Sequence, residues 1–270
     1  MNRHFHQLIL TVILLMTVSV ASAQKTPEFV QTLKQFLIAN GGLASQQESQ
    51  LANYTTMAQA LLPAEQQHRA GELARQYLQS QYLDDVADMN ADYYLRIGVI
   101  QRDLTYLIEQ YSTDEAKLAV QHSIEFSKKV ETDMAQAVSN YVMSNGINKV
   151  EPQQYPDIYR KSVQAFYKGS GLKDNMEAIL INLINTLSQQ GGQEGTVALL
   201  NRFITEEVET LIANSAYGIL TEEDFNVLGR IQNTPQQKLV NEGSTLISKD
   251  LTNVGSQVIM KFSAWLSKNI

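Results

Sequence analysis

"LTNVGSQVIMKFSAWL", Leu251 to Leu266, decides the fold class. Its large apolar residues Leu251, Val254, Val258, Phe262, Trp265 and Leu266 follow spacings of three and four, which form one stripe on a helix of 3.6 residues per turn. A half-buried strand would need strict alternation. Nearly every segment after Thr26 shows the helical period and none sustains an alternation, so the chain is expected to be all-α. The punctuation agrees. Thr26-Pro27 is a hydroxyl cap followed by proline at the first helical position, Pro63 follows the apolar run ending at Leu61-Leu62, and Asn145-Gly146 suits a left-handed helix stop.

The first 23 residues read as a secretory signal. Arg3 gives a positive start, Leu8 to Val20 carries no charge, and Ala21-Ser22-Ala23 supplies the small residues that a signal peptidase cuts after. The uncharged run is too short for a spanning helix, which needs roughly twenty residues. Cleavage would leave Gln24 first and no integral membrane segment. A periplasmic or secreted bacterial location follows from that reading.

Charge and cysteine content narrow the function. Removing residues 1–23 takes away one basic side chain and no acidic one, so the remainder is more acidic than the whole chain's net −7. With no basic cluster, nucleic acid and anionic lipid are disfavoured partners. The sequence contains no cysteine, which excludes disulfides, thiolate chemistry, thiolate metal sites and lipidation at a cysteine. The exported chain must therefore be held by its apolar core.

Ile147 to Pro156, INKVEPQQYP, holds two of the five prolines and no apolar period, and residues before proline avoid the helical region. The segment is expected to be extended and to mark the midpoint. Across it, TPEFVQTLKQFLIANGGL (26–43) aligns without gaps on YPDIYRKSVQAFYKGSGL (155–172), with Pro27 on Pro156, Leu37 on Phe166, Gly42 on Gly171 and Leu43 on Leu172. A second match lays Thr113-Asp114-Glu115 on Thr221-Glu222-Glu223, where each threonine can cap a helix and the carboxylates sit at its positive end. The expectation is two tandem, related helical domains: 1–23 signal peptide, 24–146 first domain, 147–156 linker, 157–270 second domain.

Each half resembles the exported bacterial domain-of-unknown-function 2059 family. The second half carries the closer likeness in LTEEDFNVLGRIQNTPQQKLV (220–240), whereas the first keeps Thr113-Asp114-Glu115 but has Phe126-Ser127 where Thr234-Pro235 would fall. The resemblance implies an all-helical fold and secretion, and brings no catalytic residues.

Candidate sites are few. His68 has Glu72 at i+4 and His122 has Glu125 at i+3, but neither belongs to an H-E-x-x-H face, so a surface His–Glu pair is the ordinary reading. Gly169-Ser170-Gly171 lacks the form of a nucleophile elbow and aligns with the helix stop Asn40-Gly41-Gly42. Asn53-Tyr54-Thr55 matches a glycosylation pattern that is frequent by chance. Asp84, Asp88 and Asp92 recur every four residues and would share a helix face. A solvated acidic face is the ordinary account, with a weak Ca²⁺ site or a basic partner as alternatives. Val86 stands where an EF-hand loop needs an oxygen. Tyr77, Tyr82, Tyr93, Tyr94, Tyr106 and Tyr111 crowd the first half, and rings with polar tips suit either an interface or the boundary between core and solvent.

The function expected is non-enzymatic: protein–protein interaction in the bacterial envelope, with another envelope protein or a second copy as partner. The candidate surface is Tyr77, Tyr82, Tyr93, Tyr94, Asp84, Asp88 and Asp92, and no catalytic residue, metal or cofactor is expected. Two alternatives stay open. A carrier would enclose an apolar cavity of at least about 300 Å³, and a carboxylate/His-dependent hydrolase would place His68 or His122 in a cleft within reach of an Asp or Glu.

Overall fold

The computed structural model describes residues 25–41, 47–169, 181 and 194–270. The signal segment 1–23 lies outside them, as do Gly42, Leu43, Ser170, Gly171 and Leu172 of the aligned turns. Among the described residues there are twelve α-helices, one 3-10 segment (Ala64–Arg69) and no strand, so the chain is all-α. In chain order the helices are α1 (Pro27–Ala39), α2 (Gln47–Leu61), α3 (Ala70–Ser80), α4 (Tyr82–Arg96), α5 (Gln101–Tyr111) and α6 (Asp114–Met143). After the midpoint come α7 (Asp157–Gly169), α8 (Glu194–Glu206), α9 (Val208–Ala216), α10 (Glu222–Gln232), α11 (Pro235–Lys249) and α12 (Leu251–Asn269).

The helix starts are where the punctuation puts them. The Thr26 hydroxyl accepts from the Phe29 amide at 3.1 Å with Pro27 in the first position. Thr113 and Thr221 accept from Ala116 and Asp224, each at 3.2 Å. Caps of this kind contribute about 1 kcal/mol each. Asn145 (φ 56°) and Gly146 (φ 79°) end α6 in the left-handed region, and the Gly146 amide donates to the Tyr141 carbonyl at 2.7 Å. α6 runs unbroken for 30 residues. The stretch aligned with it in the second half is cut into α10 and α11 by Pro235, which has no amide proton and cannot continue the helix. Phe126-Ser127, the first-half counterpart of Thr234-Pro235, passes through the middle of α6.

Three apolar clusters make up the core. The first joins α1, α4, α5 and the N-terminal part of α6 to Val227, Leu228, Ile231 and Val240 of α10 and α11. The second joins Phe126, Val130 and Tyr141 of α6 to α7, α8, α9 and Phe225 of α10. The third closes α2, α3 and the start of α4 over Phe262 and Leu266 of α12, which are 0% and 2% exposed. Burying a side chain of that size contributes about 1.5–3 kcal/mol. The stripe read from 251–266 thus faces a core, with Val254, Val258 and Trp265 half-buried along it; the Leu251 side chain lies outside the description.

Every one of these clusters draws residues from both sides of 147–156. Among the described residues the clusters therefore do not divide along the expected bounds 24–146 and 157–270: α6 crosses into the second cluster while α10 and α11 cross back into the first. The crossing is tight. At Gly243 of α11 an added Cβ would collide with the Tyr94 ring, 2.7 Å from its Cε1, and lie 3.0 Å from the Ile97 side chain, so only glycine lets α11 approach α4 this closely.

Residues 147–156 form neither helix nor strand, and the segment is no free tether. The Val150 amide donates to Glu207 Oε2 at 2.8 Å. The Asn214 side chain accepts from the Gln153 amide at 3.0 Å and donates to the Glu151 carbonyl at 2.8 Å, supplying the two bonds a neighbouring strand would have made. The segment is a strap held along α9.

Candidate functional site

The four tyrosines of the candidate surface face inward. Tyr77, Tyr82, Tyr93 and Tyr94 are 1%, 7%, 4% and 3% exposed, which removes them from any contact surface. Tyr77 and Tyr82 pack with Tyr54 and Phe262 in the third cluster, at ring separations of 4.8 to 6.2 Å. Their hydroxyls are served internally: Tyr77 donates to Asp85 Oδ2 at 2.7 Å, Tyr93 to Asp250 at 2.7 Å, and Tyr94 pairs with Ser244 at 3.1 Å. Burial pushes the Tyr77 phenol far above its ordinary value, and the carboxylate accepting its proton adds to the shift. The ordinary reading, rings bridging core and polar groups, describes them.

Asp84, Asp88 and Asp92 do share a face of α4, and the chain itself supplies their cations. Lys34 pairs with Asp84, Lys25 reaches Asp88 at 2.8 Å and Asp92 at 3.1 Å, and Lys261 of α12 reaches Asp88 at 2.9 Å. Partial burial works to raise the Asp88 pKa, but the two ammonium groups outweigh it and hold the carboxyl below its ordinary range. The basic partner considered from the sequence is therefore intramolecular, and the row fastens the residues before α1 and the middle of α12 to α4. Among the described residues no three His, Asp or Glu side chains converge as a metal site requires.

The histidines part company. His68 is exposed in the 3-10 segment, and its sequence neighbour Glu72 accepts from Gln76 at 3.1 Å. His122 pairs with Asp224 of α10 at 2.9 Å, rather than with Glu125 on its own helix. One oxygen of Asp224 carries these contacts, because Oδ2 also accepts from the Thr221 amide at 2.7 Å and hydroxyl at 2.8 Å. Burial acts to raise its pKa, but the Thr221 amide, His122 and the Thr221 hydroxyl together hold it low. An ionised carboxylate only accepts, so Nδ1 of His122 carries the proton. The pair has the geometry of a fastening between α6 and α10, and His122 lines none of the three clefts described below.

The surface with the chemistry of a contact lies where the strap meets α7 and α9. Phe166, Phe225 and Tyr159 form a ladder of rings 5.5 to 5.8 Å apart, rooted in the second cluster. Tyr159 is 7% exposed and donates to the Leu220 carbonyl at 3.1 Å. Tyr155 and Tyr217 stack onto its outer side at 5.9 and 5.3 Å, and lie 5.5 Å from each other. Tyr217 is 42% and Ile158 62% exposed, and the Arg160 guanidinium lies 5.5 Å over the Tyr155 ring. Sequence reading passed over this group because its members fall in the linker, α7 and the loop after α9. The Tyr155-Tyr159 spacing of four at a helix start was the signal available.

Three clefts lie among the described residues. One of about 330 Å³ lies between α6 and the strap, lined by Lys129, Asp133, Asn140, Asn148 and Asn214. Another of about 490 Å³ lies between the end of α7 and α11, with Lys168, Lys238, Lys249 and Glu242. The third, about 420 Å³, lies between α5 and α10 and includes Tyr106, Arg230 and Glu223. All three reach the volume a carrier needs, but charged and amide side chains line them, where an apolar ligand would leave polar groups unpaired. No helix among the described residues is long and apolar enough to cross a membrane.

No protein-family model, curated protein or solved structure matches this chain.

Proposed function

We propose that this chain is a non-enzymatic exported helical protein that acts by binding another protein in the bacterial envelope, through the Tyr155–Tyr217 surface. The supporting observation is the mounting of those rings. A half-exposed aromatic pair beside Ile158 and Arg160 is anchored on buried Tyr159, so docking would fix little that is not already fixed. Tyrosine and arginine are the residues enriched where binding energy concentrates. Export after a cut at Ala23, kinship with the domain-of-unknown-function 2059 family and origin by tandem duplication belong to the same proposal. The reciprocal crossing of α6 and α10–α11 between clusters is what two copies exchanging their last helices would produce.

A photo-crosslinking residue placed at Tyr217 in the native host tests the reading. A discrete adduct that is absent when the same residue replaces exposed Leu118, and that weakens when Ile158 becomes aspartate, supports it. Crosslinking at Tyr217 no stronger than at Leu118 would sink it. An adduct of twice the chain mass identifies the partner as a second copy. The N-terminal residue of the purified protein tests export separately, with Gln24 expected and Met1 contrary to it.

A further inference from the structure

The cleft between α5 and α10 holds polar groups of mixed sign that the fold leaves unused. Its floor is Val227 and Ile231, 3% and 4% exposed. Two of its wall hydroxyls are committed to helix caps: Thr113 accepts from the Ala116 amide, and Thr234 donates to the Ile231 carbonyl at 2.7 Å while accepting from the Gln237 amide. The other five polar side chains, Tyr106, Gln110, Glu115, Glu223 and Arg230, have no hydrogen-bond or ion-pair partner among the described residues. In the cleft between α6 and the strap the chain does pair such groups, Lys129 with Asp133 at 2.8 Å and Lys149 with Glu206 at 3.1 Å.

The mixture of charges selects the ligand class. An anion would face Glu115 and Glu223, and a cation would face Arg230. A neutral polyol suffers neither repulsion, because each hydroxyl can donate to a carboxylate and accept from a guanidinium or amide at the same time. Each carboxylate occupies the second position of its helix, where the dipole favours a negative charge without consuming its oxygens. Tyr106, 37% exposed, offers an apolar ring against which the C–H face of a sugar packs. The volume of about 420 Å³ exceeds what one small pyranose fills. We propose that this cleft is a binding site for a neutral disaccharide or the end of a longer neutral glycan, independent of the Tyr155–Tyr217 surface.

Saturation-transfer NMR and calorimetry on the full chain after signal removal, with cellobiose, maltose and N,N'-diacetylchitobiose as probes, test this. At least one disaccharide is expected to bind, and Tyr106→Ala and Arg230→Gln are each expected to weaken it about tenfold or more, the loss of one or two charge-assisted or ring contacts. All five polar residues lie on the wall rather than in the core, so unchanged melting temperatures verify that the variants are folded. Glucuronic acid and glucosamine are expected to bind more weakly than the neutral sugars. No binding by any of the three at about 10 mM, a limit that still detects free energies near 3 kcal/mol, overturns the proposal. So does equal binding by both variants, or tighter binding of either charged sugar.

Discussion

His122 on α6 donates from Nδ1 to Asp224 Oδ2 on α10 across 2.9 Å, joining two helices whose paired residues lie 102 positions apart in the chain. The same oxygen closes the capping box of α10, so one carboxylate serves both a helix end and a tertiary contact.

An acid-sensitive contribution to stability follows from Asp224. Its folded pKa lies below the ordinary carboxylate value of 3.8, despite burial, because the Thr221 amide, His122 and the Thr221 hydroxyl favour the anion. A depressed folded pKa means stability that is full above the unfolded value and lost as pH falls through the folded one. Asp224→Asn is expected to cost about 1–3 kcal/mol near neutral pH, with the difference from the parent chain shrinking as pH falls below the ordinary carboxylate value of 3.8 and through the lowered folded one. Urea midpoints measured across that range give the comparison, and a pH-independent gap would contradict it.

The crossed cores make a second expectation. Without residues beyond 146, the first cluster loses Val227, Leu228, Ile231 and Val240, all under 5% exposed. At about 1.5–3 kcal/mol each, that loss is comparable to the whole stability of a domain, about 5–15 kcal/mol. Fragments 24–146 and 147–270 are therefore expected to lack cooperative melting alone and to recover it when mixed at equal concentration. Circular dichroism melts of the two pieces decide it, and independent cooperative transitions would restore separate domains.

What could be read from the sequence was local. Thr26, Thr113 and Thr221 announced helix starts because a hydroxyl beside an amide three residues on needs no distant partner, and Pro152 and Pro156 announced a break in the helices for the same reason. Non-local contacts were invisible. Nothing near Asp88 in sequence indicates that Lys25 and Lys261 will stand on either side of it, and nothing near His122 points to Asp224. The tyrosines misled for a related reason: a phenol is equally at home on a surface or buried with its proton accepted, and only the fold supplies Asp85 for Tyr77.

Carboxylates on α4 should divide sharply by burial. Asp85 accepts from buried Tyr77 at 2.7 Å and from Gln81 at 3.1 Å, and its side chain is 12% exposed. Asp85→Ala strands the Tyr77 hydroxyl inside the third cluster, at a cost of about 1–3 kcal/mol. Asp92, 59% exposed and paired with Lys25, should cost about 0–1 kcal/mol when replaced by alanine. Raising the salt concentration should erase the Asp92 effect and leave the Asp85 effect nearly intact, because a screened surface pair and a stranded buried hydroxyl respond differently to ions. Equal losses in chemical denaturation would refute the division.

The strap offers a test of whether 147–156 is held or merely laid along α9. Asn214 carries two backbone bonds, one in each direction, while Glu207 independently holds the Val150 amide from a site 3% exposed. Replacing Asn214 by alanine removes both of its bonds and leaves the Glu207 contact and the Tyr155–Tyr217 stack in place. Hydrogen exchange at Gln153 should then accelerate by about tenfold or more, the equivalent of one lost bond, while Val150 changes little. Glu207→Gln should produce the converse pattern. If both variants loosened the whole strap together, it would be held cooperatively by α9 as a unit, and the separate anchoring by Asn214 and Glu207 would be wrong.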